Sequence, residues 1–338
     1  MTMELTSLLK DICSAAIGVS DGAATVLSGE LPHGMSIASL NGSTGNERFA
    51  EFVSEWKHTP QTGGTVLAVE IAEGTSTCKP VCIELHDNRC DIIISANARS
   101  RTELIFVYSN AEPISRYVKT AEDTSLQISD IVLTNTGTET RIDSWTKLAE
   151  RTSVDVTTVE LSDSDITMEY SFEFKHNGGS LKHHALSIIG DHRKKTLNIN
   201  VRHEVPECHS DVVMKGVAEG EGFGTFNGLV YVAPDAQHTE AYQQSRNMLL
   251  GDKARIITSP QLEIYADDVK CSHGAAIGQM NDDAVYYMRQ RGLSEAEARG
   301  LQLSGFVNEI VSRLEFPELV DALSDLAQKK ISDLHDNI

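Results

Sequence analysis

Between residue 61 and about residue 280 the chain is a succession of short β-prone runs with almost no helical pattern between them. "TVLAVEIA", "CDIIIS", "ITMEYSFEF", "KTLNINVRH" and "FNGLVYV" are representative, and Gly, Asn, Asp and Ser punctuate them as turns require. A doubly wound α/β protein needs helices between its strands, so that class is excluded. A sandwich, barrel, propeller or solenoid remains. No strict sequence repeat is visible, which weighs against a propeller and leaves an irregular β-helix open. One helix is predicted inside this zone, at "TRIDSWTKLAERT", where Ile142, Trp145 and Leu148 recur at helical spacing.

The flanks read differently, giving three zones: 1–60, 61–280 and 281–338. In the first, "ELTSLLKDICSAAI" can align Leu5, Leu8, Leu9 and Ile12, "NERFAEFVSEW" is similar, and "GELPHGMSIASLNGSTGN" between them reads as strand and loop. In the last, Asp282 and Asp283 open a helix that Gly292 ends. Ser294 and Glu297 have capping-box spacing, and the helix behind them lines up Leu303, Phe306, Val307, Ile310 and Leu314. Pro317 starts a third helix with Val320, Leu323, Ala327, Ile331 and Leu334 on one side. Packing within the chain accounts for most of these stripes; docking of another protein is the remaining use.

A net charge of −20 argues against broad nucleic-acid binding, which needs a basic surface. No apolar run approaches the roughly 18 residues of a membrane span. Glu4 and Asp11 interrupt the N-terminus where a secretion signal would be basic and then apolar. The six cysteines therefore read as reduced thiols, and the cytoplasm is the expected compartment.

Most candidate motifs carry no chemistry. "GEGFGTFNG" leads into a strand-like run, whereas a phosphate loop needs a helix behind it. Cys78, Cys82 and Cys90 match no metal spacing and read as buried strand cysteines. "RHEVPECHS" reads as a turn between strands, and His183 and His184 face opposite ways on one strand. Glu263 and Asp267, if on one strand face, would suit a carbohydrate-cleaving extracellular β-helix, but no secretion signal or aromatic abundance accompanies them. "DVKCSHG" is different. Read as the continuation of the strand "QLEIYADDV", it puts Cys271 and His273 on one solvated face. Two donors do not close a metal site, but they supply half of one that another chain completes.

"SPQLEIYADDVKCSHGAAIGQMNDDAVYYMRQRGLSEAEARGLQLSGF", residues 259–306, resembles the C-terminal signature of the SufB/SufD family, scaffold subunits of the SUF iron–sulfur assembly system. "VRHEVPECHSDVVMKGV" and "FNGLVYVAPDAQHTEAYQQSRNMLL" extend the likeness upstream. The resemblance implies a mainly β protein, a right-handed parallel β-helix with N- and C-terminal helical segments. It implies pairing with a SufB-like subunit, docking of a SufC-like ATPase on the C-terminal helices near Phe306, Ile310 and Leu314, and no enzymatic turnover of the chain's own. Met288 stands where SufB-like chains carry a functional cysteine, and the complete "CSHG" is SufD-like. His273 then matches a metal-binding histidine for a transient iron–sulfur cluster, with Cys271 beside it. The alternative is a purely structural SufD-like subunit in which His273 only hydrogen-bonds at the interface; the exposed edges of such β-helices also allow a homodimer of the isolated chain.

Overall fold

The computed structural model describes residues 2–20, 23–40, 42–56, 65–86, 89–109, 113–135, 137 and 139–335. The chain opens with α1 (Thr2–Ile12), β1 (Ala15–Ser20), β2 (Ala23–Gly29), β3 (Met35–Leu40) and α2 (Gly42–Val53). A run of strands follows: β4 (Thr65–Ile71), β5 (Val81–Leu85), β6 (Cys90–Ala96), β7 (Arg101–Tyr108), β8 (Ile114–Thr120), β9 (Ser125–Val132), β10 (Thr140–Leu148) and β11 (Ser153–Glu160). It continues through β12 (Ile166–Phe174), β13 (Ser180–Ile189), β14 (Lys194–His203), β15 (His209–Ala218), β16 (Phe223–Val232), β17 (Glu240–Leu249), β18 (Arg255–Ile264) and β19 (Lys270–Gln279). Three helices close the chain: α3 (Asp282–Gln290), α4 (Glu295–Val311) and α5 (Pro317–His335).

From β4 onward, successive strands alternate between two sheets, and each pairs in parallel with the strand two places on. The even strands form a nine-stranded sheet ending in β3, and the odd strands a ten-stranded sheet ending in β1 and β2. This is a parallel β-solenoid, as the periodicity allowed and the resemblance implied. Only β1–β2 and β3–β4 are antiparallel among these pairs, so strands from the first 60 residues extend both sheets. The zone boundary near residue 60 falls in 57–64, outside the described residues.

Side chains sort by face. Strands β12, β14 and β16 alternate buried and part-exposed residues almost perfectly, one face lining the lumen. From His183 to Ile189, β13 is buried on both faces. Its outer side, with Val213 and Val217 of β15, packs against Leu303, Val307 and Ile310 of α4 and Leu323 of α5. Two lysines fasten this helical unit. Lys215 of β15 donates to the Phe306 carbonyl at 3.0 Å, pairs with Glu309 and lies over the Phe306 ring. Lys330 of α5 donates to the carbonyls of Leu161 and Ser162 at 2.9 and 2.8 Å.

The helix predicted at residues 140–152 is a strand. In β10, Ile142 and Leu148 face the lumen, while Trp145 faces out beneath α2 and stacks on Tyr117 at 4.9 Å. Their helical spacing arises from both faces of one strand, and unbroken pairing with β8 and β12 overrides local preference. Helix α2 likewise begins inside the segment read as loop. Cys82 and Cys90 are buried as expected, but Cys78 is exposed, in the connection before β5.

The corners repeat too. Arg99, Asp123, Arg151, Glu207 and His238 all have φ between 52 and 59°, the left-handed region uncommon for residues other than glycine. Stacking offsets that cost: Arg99 N–H donates to Glu122 O and Asp123 N–H to Glu150 O, both at 3.0 Å, and Arg151 N–H to Asn177 O at 3.1 Å.

One stretch of the lumen is ionic. Arg116 holds Asp130 by two hydrogen bonds of 2.6 and 2.8 Å, and Tyr108 and Tyr170 donate to the same carboxylate. Arg116 is 1% exposed and Asp130 fully buried. Removing one partner strands the other charge, so Arg116→Met should destabilise the fold by about 3–5 kcal/mol. Arg116→Met with Asp130→Leu should recover most of that loss. Denaturant unfolding of the two variants checks this; equal losses would refute the pairing argument.

Candidate functional site

The stack ends at β18 and β19, each the last strand of its sheet. A parallel strand bonded on one side presents its other row of backbone N–H and C=O groups to any chain that can pair with it. Around this end stand apolar side chains that a lone solenoid would be expected to hide: Ile257 is 52% exposed, Tyr265 59% and Ile277 44%. From Ser272 to Gln279 every residue of β19 is exposed.

Cys271 and His273 lie on β19, two residues and therefore about 6–7 Å apart along the strand, on one face. The shared face is as expected, but it is not the solvated face. The strand "QLEIYADDV" does not run on into "KCSHG": β18 stops at Ile264, and residues 265–269 turn a corner before β19 begins. That corner resets the alternation. Parallel register puts Cys271 over Ala241 and His273 over Gln243. Ala241 belongs to the lumen core, and Cys271 packs against that same core. Both side chains therefore continue lumen-facing columns, and His273 is exposed because no further coil covers it. Cys271 is half-buried, and burial pushes its thiol up, partly offset by a backbone hydrogen bond from Ala241.

Thiol and imidazole are both good donors to iron and sulfur-bearing species. They form an incomplete set: among the described residues, no group of three or more His, Cys, Asp and Glu side chains is arranged to hold a metal ion. The other candidates do not join them. His203 is fully buried, bonded to Ser210 at 2.9 Å and stacked on Phe174; burial drives it down to about 3. His183 is likewise driven to about 3 by burial, so both rings are neutral packing groups. Glu263 sits on β18 and Asp267 in the corner, so they share no strand face and make no glycosidase pair.

The helical stripe is also accounted for. Ile310 and Leu314 are buried in the cluster beneath the helices, and Phe306 covers Lys215. Ile310 and Leu314 are consumed by packing within the chain, because α4 rests directly on the odd sheet, while Phe306 stays half-buried. Among the described residues of the helical unit, the large apolar side chains left exposed are Tyr286, Tyr287 and Leu301. Met288 joins the same inner cluster. Sequence spacing identified the apolar face of α4 but could not distinguish a face used internally from one left for a partner. It also passed over Gln243, whose position beneath His273 needs the register to be seen.

Residues 86–306 match the family profile "SUF system FeS cluster assembly, SufBD core domain". Among curated proteins, the chain is 35% identical to the iron–sulfur cluster assembly protein SufD of Escherichia coli, over 40% of this chain and 36% of that protein. It is 37% identical to an iron–sulfur cluster assembly SufBD family protein of Synechocystis sp., over 40% of this chain and 30% of the relative. A chloroplastic protein of Arabidopsis thaliana, ABCI7, is 32% identical over 45% and 36% respectively. The chain spans about a third of the length of these relatives.

Partial burial with a raised thiol pKa should make Cys271 slow to alkylate near neutral pH. Iodoacetamide should modify exposed Cys78 first, and the Cys271 rate should keep climbing above pH 9. Peptide mass spectrometry over a pH series checks both; Cys271 reacting as fast as Cys78 at pH 7 would contradict the burial.

Proposed function

The chain belongs to the SufBD family of the SUF iron–sulfur cluster assembly system, and we propose that it acts there as a SufD-like scaffold subunit. In this reading, its solenoid end pairs with a SufB-like chain, and the nascent cluster is cargo held across the seam. His273 supplies an imidazole ligand, Cys271 a neighbouring thiol, and the partner the remaining donors. The single observation that carries the reading is the exposure of His273 on the last strand of a stack whose apolar rim and backbone edge are uncovered.

The chain turns over no substrate of its own. ATP is hydrolysed by a SufC-like subunit docked on the C-terminal helices, whose two lysine fastenings would carry its movement into the solenoid. With Ile310 and Leu314 buried and Phe306 half-buried, docking uses the solvent side of the helices, where Tyr286, Tyr287 and Leu301 are exposed. A reducing compartment, the cytoplasm, suits six cysteines that form no disulfide. No helix among the described residues is long and apolar enough to cross a membrane.

His273→Ala, co-purified with SufB-like and SufC-like partners and supplied with iron and sulfide, should assemble cluster at least several-fold less well by visible absorption. The exposed position should leave thermal stability unchanged. Undiminished assembly would favour a structural role at the seam. Without the partner, the uncovered edge should let the isolated chain pair with a second copy. Ile277→Lys adds a charge to that edge, and sedimentation should show the dimer weakened at least tenfold; a dimer unaffected by the charge would move the contact elsewhere.

A further inference from the structure

Directly beneath His273 in the stack lies Gln243. It is 1% exposed, and neither its amide nitrogen nor its amide oxygen has a hydrogen-bond partner. A buried primary amide with both ends unmet costs free energy in the resting fold. The coil is nevertheless shaped to keep it. Gly228 stands opposite on β16, and a Cβ there would lie 1.5 Å from the Gln243 amide nitrogen and 2.9 Å from the Phe226 ring. Glycine at 228 is thus what lets the glutamine side chain extend across the lumen. Below, Val212 pairs with Gln243, Ile199 with Gly228, and Met214 with Ser245. This apolar layer separates the amide from His183 and the ionic group around Asp130, so the next residue inward along its column, Val212, offers Gln243 no hydrogen bond. Outward, the next residue in its column is His273, exposed and one strand spacing away, about 4.8 Å between backbones.

We propose that Gln243 is a positioning residue for His273. When the seam closes, the imidazole turns into the mouth of the lumen and donates its ring N–H to the Gln243 amide oxygen, leaving the other nitrogen free to bind iron. A ligating histidine needs such an acceptor to fix its tautomer and ring orientation. An amide serves without adding charge to a buried site. The inference rests on the reading of His273 as a cluster ligand, but the contact between the two side chains can be tested apart from it.

Gln243→Met keeps the length and approximate volume of the side chain while removing both hydrogen-bonding atoms. The variant and the unmodified chain are compared as complexes with the SufB-like partner, before iron is added. Nitrogen-15 NMR of labelled histidine reads the His273 tautomer, and thermal unfolding and reconstituted cluster yield are measured beside it. The expected result is an unchanged or higher melting temperature, a single His273 tautomer replaced by a mixture, and a cluster yield lower by about tenfold or more. Gln243→Glu, which retains an acceptor in the same place, should keep the single tautomer and guards against misfolding of the methionine variant. An unchanged tautomer in Gln243→Met overturns the proposal, whatever the yield does. If the tautomer shifts while His273→Ala assembles cluster normally, the positioning contact stands and the ligand reading fails.

Discussion

Unbroken register between parallel coils is the constraint on which the rest of this structure depends. Each strand repeats the phase of the one below, so a side chain's surroundings are set by equivalent positions one coil away as much as by its sequence neighbours. Tyr170 lies between Ser144 and Ile199, and His183 between Val156 and Val212, with no slip along the strands. A shift of one residue would exchange lumen and surface throughout a strand. The corners share the same bookkeeping: left-handed residues recur where backbone donors can meet carbonyls of the next coil.

The lumen is consequently a series of layers. Arg116, Asp130 and the tyrosines form a closed ionic layer; Ile199, Val212 and Met214 form an apolar one; Gln243, Ser245 and Asn247 return to polar character beside the open end. His273 and Cys271 need no special geometry to stand together there. They occupy lumen positions in a coil with nothing stacked upon it, and exposure follows from being last. The helical unit covers the outer face of the odd sheet and leaves that end clear.

Much of this was legible in the sequence. Closely spaced β-prone runs without intervening helices excluded α/β architecture, and the capping box at Ser294 and Glu297 forms as its spacing predicts. What local patterns missed depended on partners distant in the chain. Trp145 reads as helical until β8 and β12 are known to flank it. The face of Cys271 and His273 could not be projected from "QLEIYADDV", because a corner lies between and corners do not preserve alternation. Gln243 had no signal at all, since its burial is a property of the coil above it. The stripe at Ile310 and Leu314 was visible, but its use was not: apolar periodicity reports that a face is covered without saying by what.

Counting Gly178 with them, the left-handed corner residues Arg99, Asp123, Arg151, Glu207 and His238 recur at intervals of 24 to 31 positions. Each interval is a module whose upper and lower surfaces present the same backbone pattern. The length of the rod and the chemistry of its tip are therefore separable variables. Whole modules inserted into or lost from the middle would lengthen or shorten the molecule, while the terminal module kept the same face toward whatever it meets.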